Sequence, residues 1–179
     1  MKYLGKTLVN LYSEKEIKDR VTDLGLLISS DYKNKNPLFI GVLNGCFIFL
    51  ADLIRSVTVD CELDFIHASS YSGQESTGKI KLLKSFSSDI KGRDVILIED
   101  IIDTGLTLNY IRRLVLDHSP NSVAIATLLY KKDGPKLDFS IEYIGFEIPQ
   151  EFVVGYGLDY NQKMRNLGSI YRIKNISES

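Results

Sequence analysis

Short apolar runs of strand length alternate along this chain with longer segments whose apolar residues recur at helical spacing. That alternation is the signature of βα units, and it calls for an α/β fold: a mostly parallel central sheet covered by helices on both faces. Ser13 and Glu16 form an S-x-x-E capping box, after which Ile17, Val21, Leu24 and Ile28 fall on one face, so a first helix is expected to end before Pro37. Residues 38–43 form a short apolar run leading to Asn44-Gly45, and Phe47, Leu50, Ala51, Ile54 and Val57 then repeat as a second helix. Residues 62–69 read as a strand, 94–98 as a buried strand, 107–118 as a helix and 122–129 as a further strand. Ligands of such sheets bind where loops leave the carboxyl ends of the strands, which directs attention to 43–45, 99–107 and the residues just after 129.

The chain of 179 residues fits one domain, with no internal repeat and no Pro- or Ser-rich linker to divide it. Residues 70–93 are polar and longer than a connector requires, with hairpin-like alternation at 79–84, and are read as a movable flap. From about 133 to 179 the pattern turns irregular, with Gly134-Pro135 and Ile148-Pro149 as breakers, and a small hood subdomain built from the ends of the chain is expected.

Charge narrows the class of partner. The net charge is -1 with basic residues scattered, which offers neither duplex nucleic acid nor an anionic membrane a continuous basic face, and favours a small molecule. Cys46 and Cys61 stand far apart without metal-ligand spacing and are expected as reduced thiols. Neither a signal-peptide layout nor a membrane-length apolar run is present in the sequence, and the expected location is cytoplasmic. His67, in a strand pattern, and His118, at a helix C-terminus, are read as structural.

The most informative segment is VILIEDIIDTGLT, residues 95–107. An apolar strand runs into three carboxylates and then a turn of small residues that opens a helix. Thr104, Gly105 and Thr107 put hydroxyls and free backbone N–H groups at a helix start, where the dipole favours an anion such as a monophosphate. Glu99 and Asp100 supply hard oxygens that suit Mg²⁺ or the hydroxyls of a sugar, and Asp103 can reach the same ligand. One such carboxylate is ordinarily a solvated loop residue or a helix cap; three followed by T-G-x-T are a more specific combination. Neither GxxxxGK[ST] nor GxGxxG occurs, so nucleotide hydrolysis and nicotinamide chemistry lack their usual anchors.

EDIIDTGLT resembles the phosphoribosyl-pyrophosphate signature of type I phosphoribosyltransferases. GVLNGCFIFLADLIR, SSYSGQESTG, LLYKKDG and GFEIPQEFVVGYGLDYNQKMRNL are similar to segments of the hypoxanthine-guanine branch, and together these matches span nearly the whole chain. The resemblance implies an enzyme of purine salvage that joins a 6-oxopurine to phosphoribosyl pyrophosphate with Mg²⁺, as a homodimer or homotetramer. It implies Asp103 near purine N7 as the proton-handling group, Asp103, Thr104, Gly105, Leu106 and Thr107 around the 5'-phosphate, and Glu99 and Asp100 facing ribose and magnesium. Lys131 would donate to O6, Phe152 would stack on the purine, and the Val153 backbone would read the base edge. Asp159 would bind a second magnesium and Arg165 the pyrophosphate. Asn44 and Gly45 would cradle pyrophosphate with backbone amides, where the family often has a strained or cis peptide. Ser70 and Tyr71 would head the flap. Two positions depart from a common family pattern: Asn44 stands where lysine is frequent, and Leu106 stands in a turn that often carries lysine, so those contacts would rest more on backbone amides. A regulatory protein that keeps the fold but controls RNA or DNA is the alternative class; it calls for a basic face or an added domain, whereas this chain is near neutral and keeps Lys131, Phe152 and Asp159. Xanthine is a further candidate base.

Overall fold

The structure, a computed structural model, describes residues 2–3, 5–70, 80–134 and 137–174. The elements are β1 (Lys2–Tyr3), β2 (Lys6–Tyr12), α1 (Glu14–Asp31), β3 (Leu38–Leu43), α2 (Phe47–Ser56), β4 (Glu62–Ser70) and β5 (Ile80–Lys84). They continue with β6 (Asp94–Ile102), α3 (Leu106–Leu116), β7 (Ser122–Lys131), β8 (Tyr143–Ile148), β9 (Val153–Val154) and β10 (Ile170–Lys174).

Six strands form the large sheet in the order β5-β4-β3-β6-β7-β8. All neighbours are parallel except β5, which returns antiparallel along β4. The central strands are apolar on both faces because both faces are covered. Phe39, Ile96, Ile98, Ala124 and Ala126 pack in one core with Ile17, Val21, Leu24, Ile28, Phe49, Leu50 and Leu53 of α1 and α2. Their sequence neighbours Leu38, Ile40, Val95, Leu97 and Ile125 point the other way, into a second core with Leu108, Ile111 and Val115 of α3. The helix spacing and the strand alternation read in the sequence are thus two sides of the same packing.

The capping box is formed: Ser13 N–H donates to Glu16 Oε2 at 2.8 Å, and Glu16 N–H donates to Ser13 Oγ at 3.3 Å. β6 runs four residues beyond the expected 98, because after its pairing with β3 ends at Gly41↔Ile98 it continues along β7 through Ile101↔Leu129 and Ile102↔Tyr130. The carboxylates Glu99 and Asp100 therefore sit within a strand that has lost one neighbour, and a gap in the sheet opens beside them.

The stretch 133–179 divides between two sheets. β8 extends the large sheet, while β9 and β10 join β1 and β2 in a small antiparallel sheet of order β1-β2-β10-β9. Leu8, Val154 and Met164 form its core. Of the stretch read as a flap, residues 71–79, Tyr71 among them, lie outside the described residues. Its return leg is anchored by Asp64 on β4: Oδ2 accepts from the backbone N–H groups of Ser87 and Ser88 at 2.7 and 2.8 Å and from Ser88 Oγ at 2.8 Å. Burial opposes ionisation of Asp64, but the Phe65 N–H, which donates to Oδ1 at 2.7 Å, together with these bonds holds the carboxyl well below the usual range, at about 2.

Candidate active site

At the carboxyl ends of β3, β4 and β6 lies a cleft of about 460 Å³. Asn44, Gly45, Glu99, Asp100, Asp103, Thr104, Gly105, Thr107, Asp159 and Arg165 all line it. The structure thus brings together ten of the residues singled out in the sequence, from three separate segments.

The acidic pair forms one wall. Burial, reinforced by the neighbouring Asp100 carboxylate, pushes the Glu99 carboxyl well above its ordinary range. Burial also raises Asp100, opposed by the Glu99 side chain, backbone amides and the Arg165 charge. Glu99 Oε2 is sealed from solvent without a hydrogen-bond partner. A hard oxygen left unsatisfied beside a second carboxylate is a donor set that fits a divalent cation. Among the described residues no three His, Cys, Asp or Glu side chains converge into a ready-made cage, so such a cation would need oxygens from its ligand as well.

The turn after β6 supplies the other wall. Gly105 has φ +70°, a left-handed conformation that glycine adopts without cost, and it caps α3 with no side chain; the Leu106 N–H makes a long bond to Thr104 Oγ1 at 3.4 Å, and the other amides of the first turn are left for an anion. Leu106 begins α3 and is 59% exposed. Asp103 faces Lys131, the last residue of β7: Nζ lies 2.7 Å from Oδ2, and Lys131 is buried apart from this contact. Gly134 folds the chain back, its N–H donating to the Lys131 carbonyl at 3.1 Å.

The Leu43-Asn44 peptide is cis. The Gly45 backbone is pressed so closely on Asp100 that a Cβ there would collide with the Asp100 carboxylate. Gly157, at φ +99°, lies against the Gly45 carbonyl, which a Cβ there would also strike. This contact seats a loop of residues 155–165 against the cleft. In it Arg165 Nη1 donates to the Gly157 carbonyl at 2.8 Å, and Nη2 lies 2.7 Å from Asp159 Oδ1.

Three other expected site residues lie elsewhere. Phe152 is 55% exposed and lines a separate hollow with Lys6, Glu151, Tyr160 and Arg172, its ring edge-on to Tyr160 at 5.9 Å. Val153 is buried in β9, paired with Arg172. Ser70 ends β4 by pairing with Ile80, and Tyr71 is outside the described residues. Two cleft residues carried no signal for a site in the sequence. His67, read as structural, lines the cleft from β4, where alternation alone gives no sign of which face the gap exposes. Gln162 lines it from the 155–165 loop, and only its place between Asp159 and Arg165 could have marked it.

Residues 8–161 match the model of the phosphoribosyl transferase domain. The hypoxanthine-guanine phosphoribosyltransferase of Bacillus subtilis is 45% identical over 165 residues, covering 92% of each chain. The hypoxanthine phosphoribosyltransferase of Escherichia coli K12 is 45% identical over 170 residues, 93% of this chain and 96% of its own. A crystal structure of a hypoxanthine-guanine phosphoribosyltransferase from Bacillus anthracis aligns with a TM-score of 0.88 at 45% identity, covering 93% of this chain and 98% of that one.

Proposed function

This chain belongs to the phosphoribosyl transferase family, and on that footing we propose that its cleft joins a purine base to an activated ribose. The enzyme transfers the 5-phosphoribosyl group from phosphoribosyl pyrophosphate to N9 of hypoxanthine or guanine, giving IMP or GMP and pyrophosphate. The observation that carries the assignment of the base subsite is the Asp103–Lys131 pair, an acceptor and a donor held side by side at the cleft wall. A 6-oxopurine presents the matching pair, a protonated ring nitrogen and an O6 acceptor, whereas the amino group of adenine offers Lys131 nothing to donate to.

In this reading N9 attacks C1' as the bond to the pyrophosphate oxygen breaks, and the electron pair of that bond leaves with pyrophosphate. Asp103 accepts the proton the purine gives up. The amides of Thr104 to Thr107 hold the 5'-phosphate, and those of Asn44 and Gly45, with the Arg165 guanidinium, hold pyrophosphate. For Phe152 to stack on the base and the Val153 backbone to read its edge, the base must reach from the cleft to the hollow that Phe152 lines, while Ser70 and Tyr71 head the flap that excludes water. Glu99, Asp100 and Asp159, together with substrate oxygens, would hold Mg²⁺, which would supply positive charge against the leaving group. Support for the metal is the unsatisfied Glu99 Oε2. A cytoplasmic location and assembly as a homodimer or homotetramer belong to the same reading and rest on the family likeness; among the described residues no helix is long and apolar enough to cross a membrane.

The test is to incubate the protein with phosphoribosyl pyrophosphate, Mg²⁺ and, in turn, hypoxanthine, guanine, xanthine and adenine, with Asp103→Asn as control. Mononucleotide from hypoxanthine or guanine, lost in the control, is the expected result. Binding of phosphoribosyl pyrophosphate with no product from any base would instead mark a regulatory protein.

A further inference from the structure

Arg165 can serve a phosphate only if its planar guanidinium presents the right edge, and a side chain with several rotatable bonds does not hold one edge forward unaided. Three groups of the 155–165 loop fix it. Nη1 donates to the Gly157 carbonyl at 2.8 Å, Nη2 lies 2.7 Å from Asp159 Oδ1, and Nη2 donates to Gln162 Oε1 at 3.0 Å. Gln162 also acts on the acid: its backbone N–H donates to Asp159 Oδ2 at 2.8 Å. It does so from a left-handed backbone conformation, φ +64°, that turns its amide inward and its side chain toward Arg165. Among the described residues Gln162 is therefore the one bonded to both members of the Arg165–Asp159 pair, and it lines the cleft beside them.

We infer that Gln162 is a positioning residue for phosphoribosyl pyrophosphate: its side-chain oxygen holds Arg165 Nη2 back, so that the remaining N–H donors of the guanidinium face the pyrophosphate. The inference rests on the reading of Arg165 as a pyrophosphate contact. A neutral acceptor suits the task, because it takes one N–H while leaving the positive charge of Arg165 uncancelled for the anion, and Asp159 already supplies one negative charge next to it.

Gln162→Met tests this, since it keeps the length of the side chain and the backbone N–H to Asp159 while removing the acceptor. The expected result is a rise in KM for phosphoribosyl pyrophosphate of about tenfold, the usual scale for one hydrogen bond to a charged group. Product inhibition by pyrophosphate should weaken by a similar factor, and KM for hypoxanthine should stay within about twofold. In Arg165→Ala the added Gln162→Met change should cost little more, because the two residues act as one unit. Gln162→Glu, which restores an acceptor, should recover part of the lost affinity. If Arg165→Ala raises KM for phosphoribosyl pyrophosphate but Gln162→Met does not, or if the two effects are additive, the positioning role is refuted while the reading of Arg165 survives. If Arg165→Ala leaves that KM unchanged, the pyrophosphate reading fails and this inference with it. Thermal unfolding of each variant separates these outcomes from a loss of folded protein, which the exposed position of Gln162 makes the less expected result.

Discussion

Lys131 Nζ and Asp103 Oδ2 lie 2.7 Å apart, so the cation that ends β7 and the carboxylate that opens the phosphate turn hold each other in the free protein. Lys131 is the buried partner and Asp103 the more exposed one, with side-chain accessibilities of 10% and 49%. A purine entering this corner meets a donor and an acceptor already set at hydrogen-bonding separation.

Asp103→Asn should lower kcat by about a hundredfold, the ordinary contribution of a positioned proton acceptor, while KM for phosphoribosyl pyrophosphate changes little. Steady-state kinetics in Mg²⁺ check this, and a comparable loss in KM alone would contradict the proton-handling role.

Lys131→Met keeps the bulk of the side chain and removes the donor and its charge. The specificity constant for hypoxanthine should fall by about 2–3 kcal/mol, roughly 30- to 150-fold, as a charged hydrogen bond is lost and Asp103 is left unpaired. Competition assays against adenine should show reduced discrimination, and unchanged discrimination would remove Lys131 from base selection.

Gly45→Ala places a methyl group on the Asp100 carboxylate. Either the loop or the acid must move, so KM for phosphoribosyl pyrophosphate should rise by at least about tenfold and stability should fall by about 1–3 kcal/mol. Kinetics and denaturant unfolding read the two effects separately, and a silent variant would contradict the close packing.

Asp64 gives the fold a pH dependence of predictable sign. Its carboxyl is depressed to about 2 in the folded chain, so the stabilisation it contributes is present above the ordinary unfolded value near 4 and is lost as pH falls from there through about 2. Allowing for solvent screening, roughly 1–2 kcal/mol should disappear over that window. Asp64→Asn should be less stable than the wild type at pH 7, with the gap closing toward pH 2 in acid unfolding curves.

β3, β4, β6 and β7 of the large sheet and the three described helices were legible because strand alternation and helical spacing are local patterns, and the Ser13–Glu16 cap is local too, whereas β8 lay in a stretch read as an irregular hood. β2 was not, since Lys6–Tyr12 owes most of its pairing to β10, more than 150 residues further along the chain. The same reason hid the extension of β6, which β7 supports after β3 stops. At the site, the acids and the small-residue turn of 99–107 announced themselves because their chemistry is consecutive in sequence. The pairing of Asp103 with Lys131 and the bridging by Gln162 depend on segments that meet only in three dimensions. Phe152 was legible as an aromatic of interest, but its edge-on contact with Tyr160 and its place in a separate hollow were not.

The small sheet unites β1 and β2 with β9 and β10, whereas the strands of the large sheet all lie between them in sequence. The large sheet takes all its strands from β3 to β8, while β2 has only the two-residue β1 beside it until β10 pairs with its other edge. The loop of Asp159, Gln162 and Arg165 is strung between β9 and β10, so the cleft gains its final wall only as the last strand docks. Loosening of the β2–β10 ladder alone would therefore open the wall that carries Asp159 and Arg165 while every strand of the large sheet stays paired.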